Sequence, residues 1–446
     1  MNNIYNFFKN VYNNAKNLNK ENSFVLPFTL LLVTIPFPLG VNNIALIFFL
    51  TTLFLYFKKI EVKASYFLLI PILLFIWSSL SFFWSVDQDR TLGSISKGLI
   101  LLLVPLAFML IPRFSNGQTK KIIKLYSYSI VILATLFLIR ALLRFILSGD
   151  KRSFFYHGEY DNDYGLVPKS LNAIHVSVYV VLAFFYFFQK EIKSKRDYVF
   201  SLLLFVFTLL LSSKNIILVF IILILVQILF YSKIANKLRL RNITIIIFLI
   251  GFMLSFSNIK NRFLIEFQTN TGKSLSHNVS IDQNKGINNI SIADAWCKEE
   301  FHPSDYFPGT AFRVYQARMF FELLKEEPIF LKGLGLNASY KKLLEKEKKY
   351  NLHEGYGTFN FHNQYFQNFA DLGFVGFLIL ILLLIINIKN AFKNKNFIHI
   401  TFAILMISLF LTESFLYRQR GVVFFTLFYC IFNFNNDLFF FNKKTK

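Results

Sequence analysis

From residue 24 onward the chain is a series of apolar runs separated by short polar breaks. The runs are continuous, without the period of two that marks a half-buried strand. Apolar stretches of roughly 17–25 residues can cross a bilayer as helices, because a helix satisfies every backbone group internally where no water is present. The pattern predicts helices at 24–40, 42–57, 66–84, 97–112, 125–147, 171–189, 198–212, 215–232, 242–258, 367–388, 397–416 and 420–441. Pro36, Pro38 and Gly40 punctuate the turn between the first two. The expected fold class is an all-α integral membrane protein of about twelve transmembrane helices.

One polar segment breaks this rhythm. Residues 259–366 form a large hydrophilic piece between the ninth and tenth helices, and loops of that length are functional or disordered. Within it, 269–295 is polar and turn-rich. The stretch "AFRVYQARMFFELLKE", 311–326, has apolar positions at helical spacing with basic residues between them. It reads as an amphipathic helix lying on the membrane or on the bundle. Pro328 and "KGLGLN" end it, and a second short helix is expected over 338–350. A smaller loop, 148–170, mixes both charges with aromatics and His157.

Composition agrees with a membrane setting. The chain is 55% hydrophobic with 58 Phe, and its 16% charged residues are fewer than a soluble domain of this length carries. A net charge of +23 could point to nucleic acid, but its distribution argues against that. With the N-terminus in the cytoplasm, the inside segments are 1–23, 58–65, 113–124, 190–197, 233–241, 389–396 and 442–446, and they hold 24 of the 48 Lys and Arg. Every one of them is basic, which is the positive-inside pattern. No nucleic-acid partner is expected. The predicted layout is a cytoplasmic tail 1–23, helices one to nine over 24–258, a large periplasmic loop 259–366, helices ten to twelve over 367–441, and a tail 442–446. Residues 1–23 lack a small-residue cleavage site, so no cleavable signal peptide is expected. Cys297 falls in the large loop and Cys430 in the last helix, so no disulfide framework is implied.

Candidate chemistry collects at the outer face. His362 begins "FHNQYFQNFADLGFVGF" at the lip of the tenth helix, where an imidazole that titrates near neutrality could exchange a proton. The alternative is a helix-start residue with an interfacial polar tip. Arg313 and Arg318 lie on the loop helix, and a guanidinium fork matches phosphate oxygens. For Arg318 a solvated or headgroup-facing charge is the competing reading. Lys214 sits in the tight turn "LSSKN", a cation on the side where topology does not require one. Arg140 and Arg144 are one turn apart near the outer end of the fifth helix and either line the bundle interior or snorkel to headgroups. Arg418, Arg420 and Glu413 share the last outer turn, where the arginines are read as pairing locally or with headgroups. There is no nucleotide fingerprint and no regular metal-ligand spacing.

Three segments resemble the O-antigen ligase superfamily, which also contains O-antigen-type polymerases and protein O-oligosaccharyltransferases. "FHNQYFQNFADLGFVGFLIL" resembles the His-Asn-x-Tyr, acidic-x-Gly-x-x-Gly start of a late span in that superfamily. "FRVYQARMFFELLKEEPIFLKGLG" resembles its Arg-bearing loop helix followed by Pro and a Gly-x-Gly turn, and "SSLSFFWSVDQDRTL", Ser78–Leu92, its Ser-x-x-Trp-Ser stretch. The resemblance implies transfer of a glycan from an undecaprenyl-diphosphate carrier to an acceptor hydroxyl on a glycolipid, glycan or protein, at the periplasmic face of the bacterial inner membrane, with no cofactor and no metal. It implies that His362 activates the acceptor and that Arg313 binds the diphosphate, with Lys214 at a further family position; Arg140 and Arg144 are added diphosphate-binding candidates from their own place in the fifth helix. Asn363, Tyr365 and Asp371 are expected helpers. The family has an arginine where this chain has Lys214, so the charge is kept and the fork is lost. The nearest alternative is a polymerase joining carrier-linked repeat units. A transporter of carrier-linked polysaccharide is a third reading, opposed by the one-sided loop and the lack of detectable repeats.

Overall fold

The computed structural model describes residues 22–56, 65–156, 165–232, 288–302 and 304–434, with isolated positions between 239 and 251. Most of the expected helix at 242–258, the loop portion 259–287, His157 and the tail 442–446 lie outside the described residues. The regular secondary structure of the described residues is helical apart from one two-residue parallel pair, β1 (Asn288–Asn289) with β2 (Asp305–Tyr306). Its helices are α1 Val25–Val33, α2 Leu39–Leu55, α3 Tyr66–Leu80, α4 Gln88–Gly98, α5 Ile100–Leu110, α6 Asn116–Ser148, α7 Ala173–Phe188, α8 Lys195–Leu210 and α9 Lys214–Val226. After the undescribed stretch come α10 Ile292–Cys297, α11 Gly309–Glu326, α12 Ser339–Lys349, α13 Gln364–Asn394, α14 Phe397–Phe410 and α15 Gln419–Asn433.

Among the described residues, five helical segments are long and apolar enough to cross a membrane: Tyr66–Trp84, Gln88–Leu110, Asn116–Ser148, Lys214–Tyr231 and Gln364–Asn394. Leu39–Leu55, Ala173–Phe188 and Phe397–Phe410 are shorter apolar helices. The loop helices follow the sequence pattern closely, α11 within 311–326 extended by two residues and α12 inside 338–350. The fourth expected helix differs. Helix starts at Gln88 instead of 97, because Asp87 caps it by accepting from the Arg90 backbone N–H at 3.1 Å. The polar α4 therefore precedes the apolar α5.

Helices in lipid gain nothing by hiding apolar surface from lipid tails, so contact quality must hold them together. Phenylalanine supplies it here. Phe184–Phe220 on α7 and α9 meet edge-on at 4.7 Å between centroids, and Phe28–Phe108 on α1 and α5 at 5.0 Å. At one end of the bundle, side-chain hydrogen bonds add to this: Asn390 to Asn433 at 2.8 Å and His399 to Asn387 at 2.9 Å tie α13, α14 and α15.

At the opposite end the loop segment is hydrogen-bonded into a broken helix. Gly373 has φ +67° inside α13, which interrupts the helical ladder and leaves carbonyls without internal partners. The loop Ile329–Asn337 takes them up. Leu334 N–H donates to Ala370 O at 2.9 Å, Gly335 N–H to Asp371 O at 2.8 Å, and Trp77 Nε1–H to Leu372 O at 2.8 Å. Phe374 N–H donates in return to Phe330 O at 2.7 Å. A Cβ at Gly373 would collide with the Leu331 backbone, in a conformation that side chains disfavour. Gly373→Ala is expected to destabilise the junction by about 1–3 kcal/mol or more. A drop in melting temperature in detergent, with earlier proteolysis within 329–337, checks this.

Candidate functional site

The α14–α15 turn, Leu411–Arg418, is the hub of this end. Arg313 on α11 donates from Nε to Thr412 O at 3.1 Å and from Nη1 to Gly309 O at 3.0 Å. Asn215, beside Lys214 in the first turn of α9, donates to Thr412 Oγ1 at 2.8 Å and to Ser408 O at 2.9 Å. Asn363 Nδ2 donates to Leu411 O at 3.3 Å. Three segments far apart in sequence thus converge on two consecutive residues.

His362 stands in the same place. Its backbone is left-handed, φ +48°, a conformation uncommon outside glycine, and its N–H donates to Asn360 Oδ1 at 2.9 Å. Asn363 follows as the cap of α13, accepting from Tyr365 N and Phe366 N. The half-buried imidazole lies against Phe312 and Phe359, at 5.5 and 5.9 Å between centroids. Its Nδ1 is 3.4 Å from Glu413 Oε2, a long contact within hydrogen-bond reach. Glu413 is 4% exposed. Burial opposes its ionisation, but His362, His175 and Arg313 outweigh burial and hold the carboxyl down at about 2. Glu413 is therefore an anion at neutral pH. It favours the tautomer with the proton on Nδ1, which leaves Nε2 as the basic atom.

The expected site residues divide into two groups. His362, Arg313 and the Lys214 turn come together around Thr412–Glu413. Arg140 and Arg144 lie in the C-terminal third of α6, which packs on α7, the helix whose first turn carries His175. Of the helpers, Asn363 is engaged as a cap, and Tyr365 donates its hydroxyl to Ile407 O at 3.0 Å. Asp371 is buried two turns into α13, where Ser339 N–H and Gln367 Nε2–H reach its carboxylate at 3.2 and 2.7 Å. It fastens the loop to the helix and makes no hydrogen bond with His362. Arg318 pairs with Glu322 at 2.8 Å within the loop segment. Arg420 donates to the Ser170 and Phe37 carbonyls, stitching the turns before α7 and α2 to the start of α15.

Two residues escaped the sequence reading of the site. Glu413 stands among arginine neighbours in the sequence, and a carboxylate in a turn otherwise rich in cations is a usable signal. His175 is fully buried, stacked on Phe415 at 4.4 Å, and neither ring nitrogen has a hydrogen-bond partner among the described residues. As a lone histidine in an apolar helix it gave no signal. No group of three or more His, Cys, Asp or Glu among the described residues is arranged to hold a metal ion.

Residues 199–381 match the family model described as O-antigen ligase. That segment is similar to the O-antigen ligase superfamily. It carries Lys214, Arg313 and His362, while Glu413 lies beyond its C-terminal limit. The enzymes of this family are glycosyltransferase-like, and their setting is a bacterial membrane with lipid-linked glycans as substrates. Five helical segments long and apolar enough to cross a membrane fit that setting. No curated protein matches the chain.

Glu413→Gln tests the pairing. Glutamine keeps the shape and removes the charge, so the tautomer preference weakens. Activity is expected to fall by about tenfold to a hundredfold, part of the roughly 10²–10⁴ that a general base contributes. Because the folded-state value is depressed, the stability Glu413 contributes is present above the ordinary carboxylate range and is lost as pH falls through about 2. Melting curves at pH 7 and pH 5 should therefore show the same deficit for the Gln variant against wild type.

Proposed function

We propose that this protein transfers a glycan from an undecaprenyl-diphosphate carrier to an acceptor hydroxyl, at the periplasmic face of the bacterial inner membrane. In this reading about twelve helices span the bilayer, the segment 259–366 is the periplasmic loop, and the tails 1–23 and 442–446 are cytoplasmic. The observation that carries it is the pairing of His362 with the buried anion Glu413 on the turn that also holds Arg313 and the start of α9.

Diphosphate is a good leaving group, so little covalent work is asked of the protein. His362 Nε2 takes the acceptor proton as the hydroxyl oxygen attacks the anomeric carbon. The glycosidic bond to the diphosphate breaks, and direct displacement inverts that carbon. Arg313 and Lys214 meet the charge growing on the departing diphosphate. Arg313 has its Nε and Nη1 pinned to carbonyls, so its guanidinium is fixed before substrate arrives. Holding donor and acceptor together supplies much of the remaining rate. The outer lip suits this chemistry, since the carrier's diphosphate lies at the membrane surface.

Analysis of the carrier-linked pool in cells lacking this protein tests the reading. Long chains stranded on the carrier identify a ligase, and single repeat units identify a polymerase. An unchanged carrier pool with unchanged surface glycans would rule out transfer.

A further inference from the structure

The loop Ile329–Asn337 carries two large apolar residues at its tip that stay open. Phe330 is 56% exposed and Leu331 66%. In a loop surrounded by water that surface forgoes the gain of burial. The surface these residues join is apolar as well. On α3 and the turn Ser81–Trp84 that follows it, Tyr66, Leu69, Leu73, Ile76, Leu80 and Phe83 are all exposed, at alternating steps of three and four. They form one stripe along a segment long and apolar enough to cross a membrane, and no charged residue interrupts it. Phe374, Leu378, Leu382 and Ile385 form a second exposed stripe on α13, another such segment, which packs on α3. Apolar on every side, these helices meet lipid where they do not meet protein.

The tip touches both stripes where they end. The Phe330 ring stacks on Phe374, the first residue of the α13 stripe, at 5.6 Å between centroids and 14° between planes. Lys332 O accepts from Nε1–H of Trp84, the residue after Phe83, at 2.9 Å. Lys332 Nζ lies 5.7 Å from the centroid of the Trp84 ring. Trp and Lys suit a membrane–water boundary, the ring at headgroup level and the ammonium reaching past it. Irregular backbone is tolerated in lipid only where protein satisfies its polar groups. Here Gly333 N–H donates to Ile329 O at 3.0 Å, Phe330 O accepts from Phe374 N–H, and Lys332 O accepts from Trp84.

We propose that Phe330 and Leu331 form a membrane-inserted tip. The lipid that covers the α3 and α13 stripes also covers these two side chains, with Trp84 and Lys332 at headgroup level. A loop expected to face water throughout is then tied to the bilayer at this turn. α11 ends at Glu326, just before the tip, so the insertion sets the depth of the helix that carries Arg313. The proposal goes beyond the transfer reading and is independent of it.

Spin labelling of the full chain in liposomes tests it. Leu331→Cys is labelled in a Cys297→Ser background, since Cys430 is buried. The exposure of Leu331 makes this position tolerant of the label. Collisions of the nitroxide with oxygen, which concentrates in lipid, and with a water-soluble nickel chelate separate three surroundings. Lipid gives high oxygen and low nickel, water gives high nickel, and a covering protein segment gives low values for both. Leu73→Cys on the α3 stripe supplies the lipid reference, and Glu345→Cys, exposed on α12, the water reference. Position 331 is expected to match position 73, with the nickel collisions seen at 345 lost. Nickel collisions as frequent as at 345 would overturn the proposal and return the tip to water. Low values for both reagents would also overturn it, in favour of a protein partner, a second copy or another segment of this chain.

Discussion

His362→Ala is expected to remove most glycan transfer while leaving the protein inserted and folded. The magnitude follows from the role. A positioned general base contributes about 10²–10⁴-fold, and among the described residues the titratable side chain within hydrogen-bond reach of His362 is Glu413. The neighbouring carboxylate cannot substitute, because Glu413 is buried and held far below the neutral range. Alanine is an imperfect probe by itself. The backbone at 362 is left-handed, and a residue without a local hydrogen-bonding side chain is disfavoured there. His362→Asn addresses this, since asparagine tolerates that conformation and has no basic nitrogen. Both variants should be inactive, and the Asn variant should melt closer to wild type. The measurement is transfer from a carrier-linked glycan by purified protein, with melting temperature recorded in parallel. Full activity in the Asn variant would remove His362 from the chemistry.

Arg313→Ala is expected to cost about 10²–10³-fold in turnover, the range seen when one preorganised donor to a developing negative charge is deleted. Arg313→Lys separates two contributions. Lysine keeps a positive charge but cannot hold Thr412 O and Gly309 O through a planar fork, so an intermediate loss is expected. Lys214 sharpens that contrast, because it already places a lysine in the turn at the start of α9. Lys214→Arg is compatible with the site and should not impair transfer, whereas Lys214→Ala should add to the Arg313 defect. The assay is the same, with donor concentration varied. A loss confined to folding, with normal turnover in the protein that does fold, would make Arg313 a structural clamp on the α14–α15 turn.

The α14–α15 turn also explains which parts of the site could be read in advance. Arg313, Lys214 and His362 were visible because each is a polar residue in a distinctive local setting: a loop helix, a tight turn, the lip of an apolar run. Glu413 and His175 were not. Their role depends on what packs around them, and His175 is an unremarked residue of an apolar helix until Phe415 and Glu413 approach it. Asp371 and Asn363 look catalytic by residue type. In the structure Asp371 accepts from Ser339 N–H at the start of α12, and Asn363 caps α13.

By itself the sequence determined the helical fold class with apolar, membrane-compatible helices, and most helix positions. Those follow from local properties: apolar run length, the period of 3.6, and proline and glycine breaks. It also placed α11 and α12 to within two residues. Tertiary structure alone decided that Gly373 breaks α13, and that three carbonyls freed there anchor the loop and Trp77. It alone paired His362 with a carboxylate 51 residues away. The physical reason is the same in each case. Backbone groups at a helix break, and charges in a low-dielectric site, must find partners wherever the fold brings them, and those partners are distant in the chain.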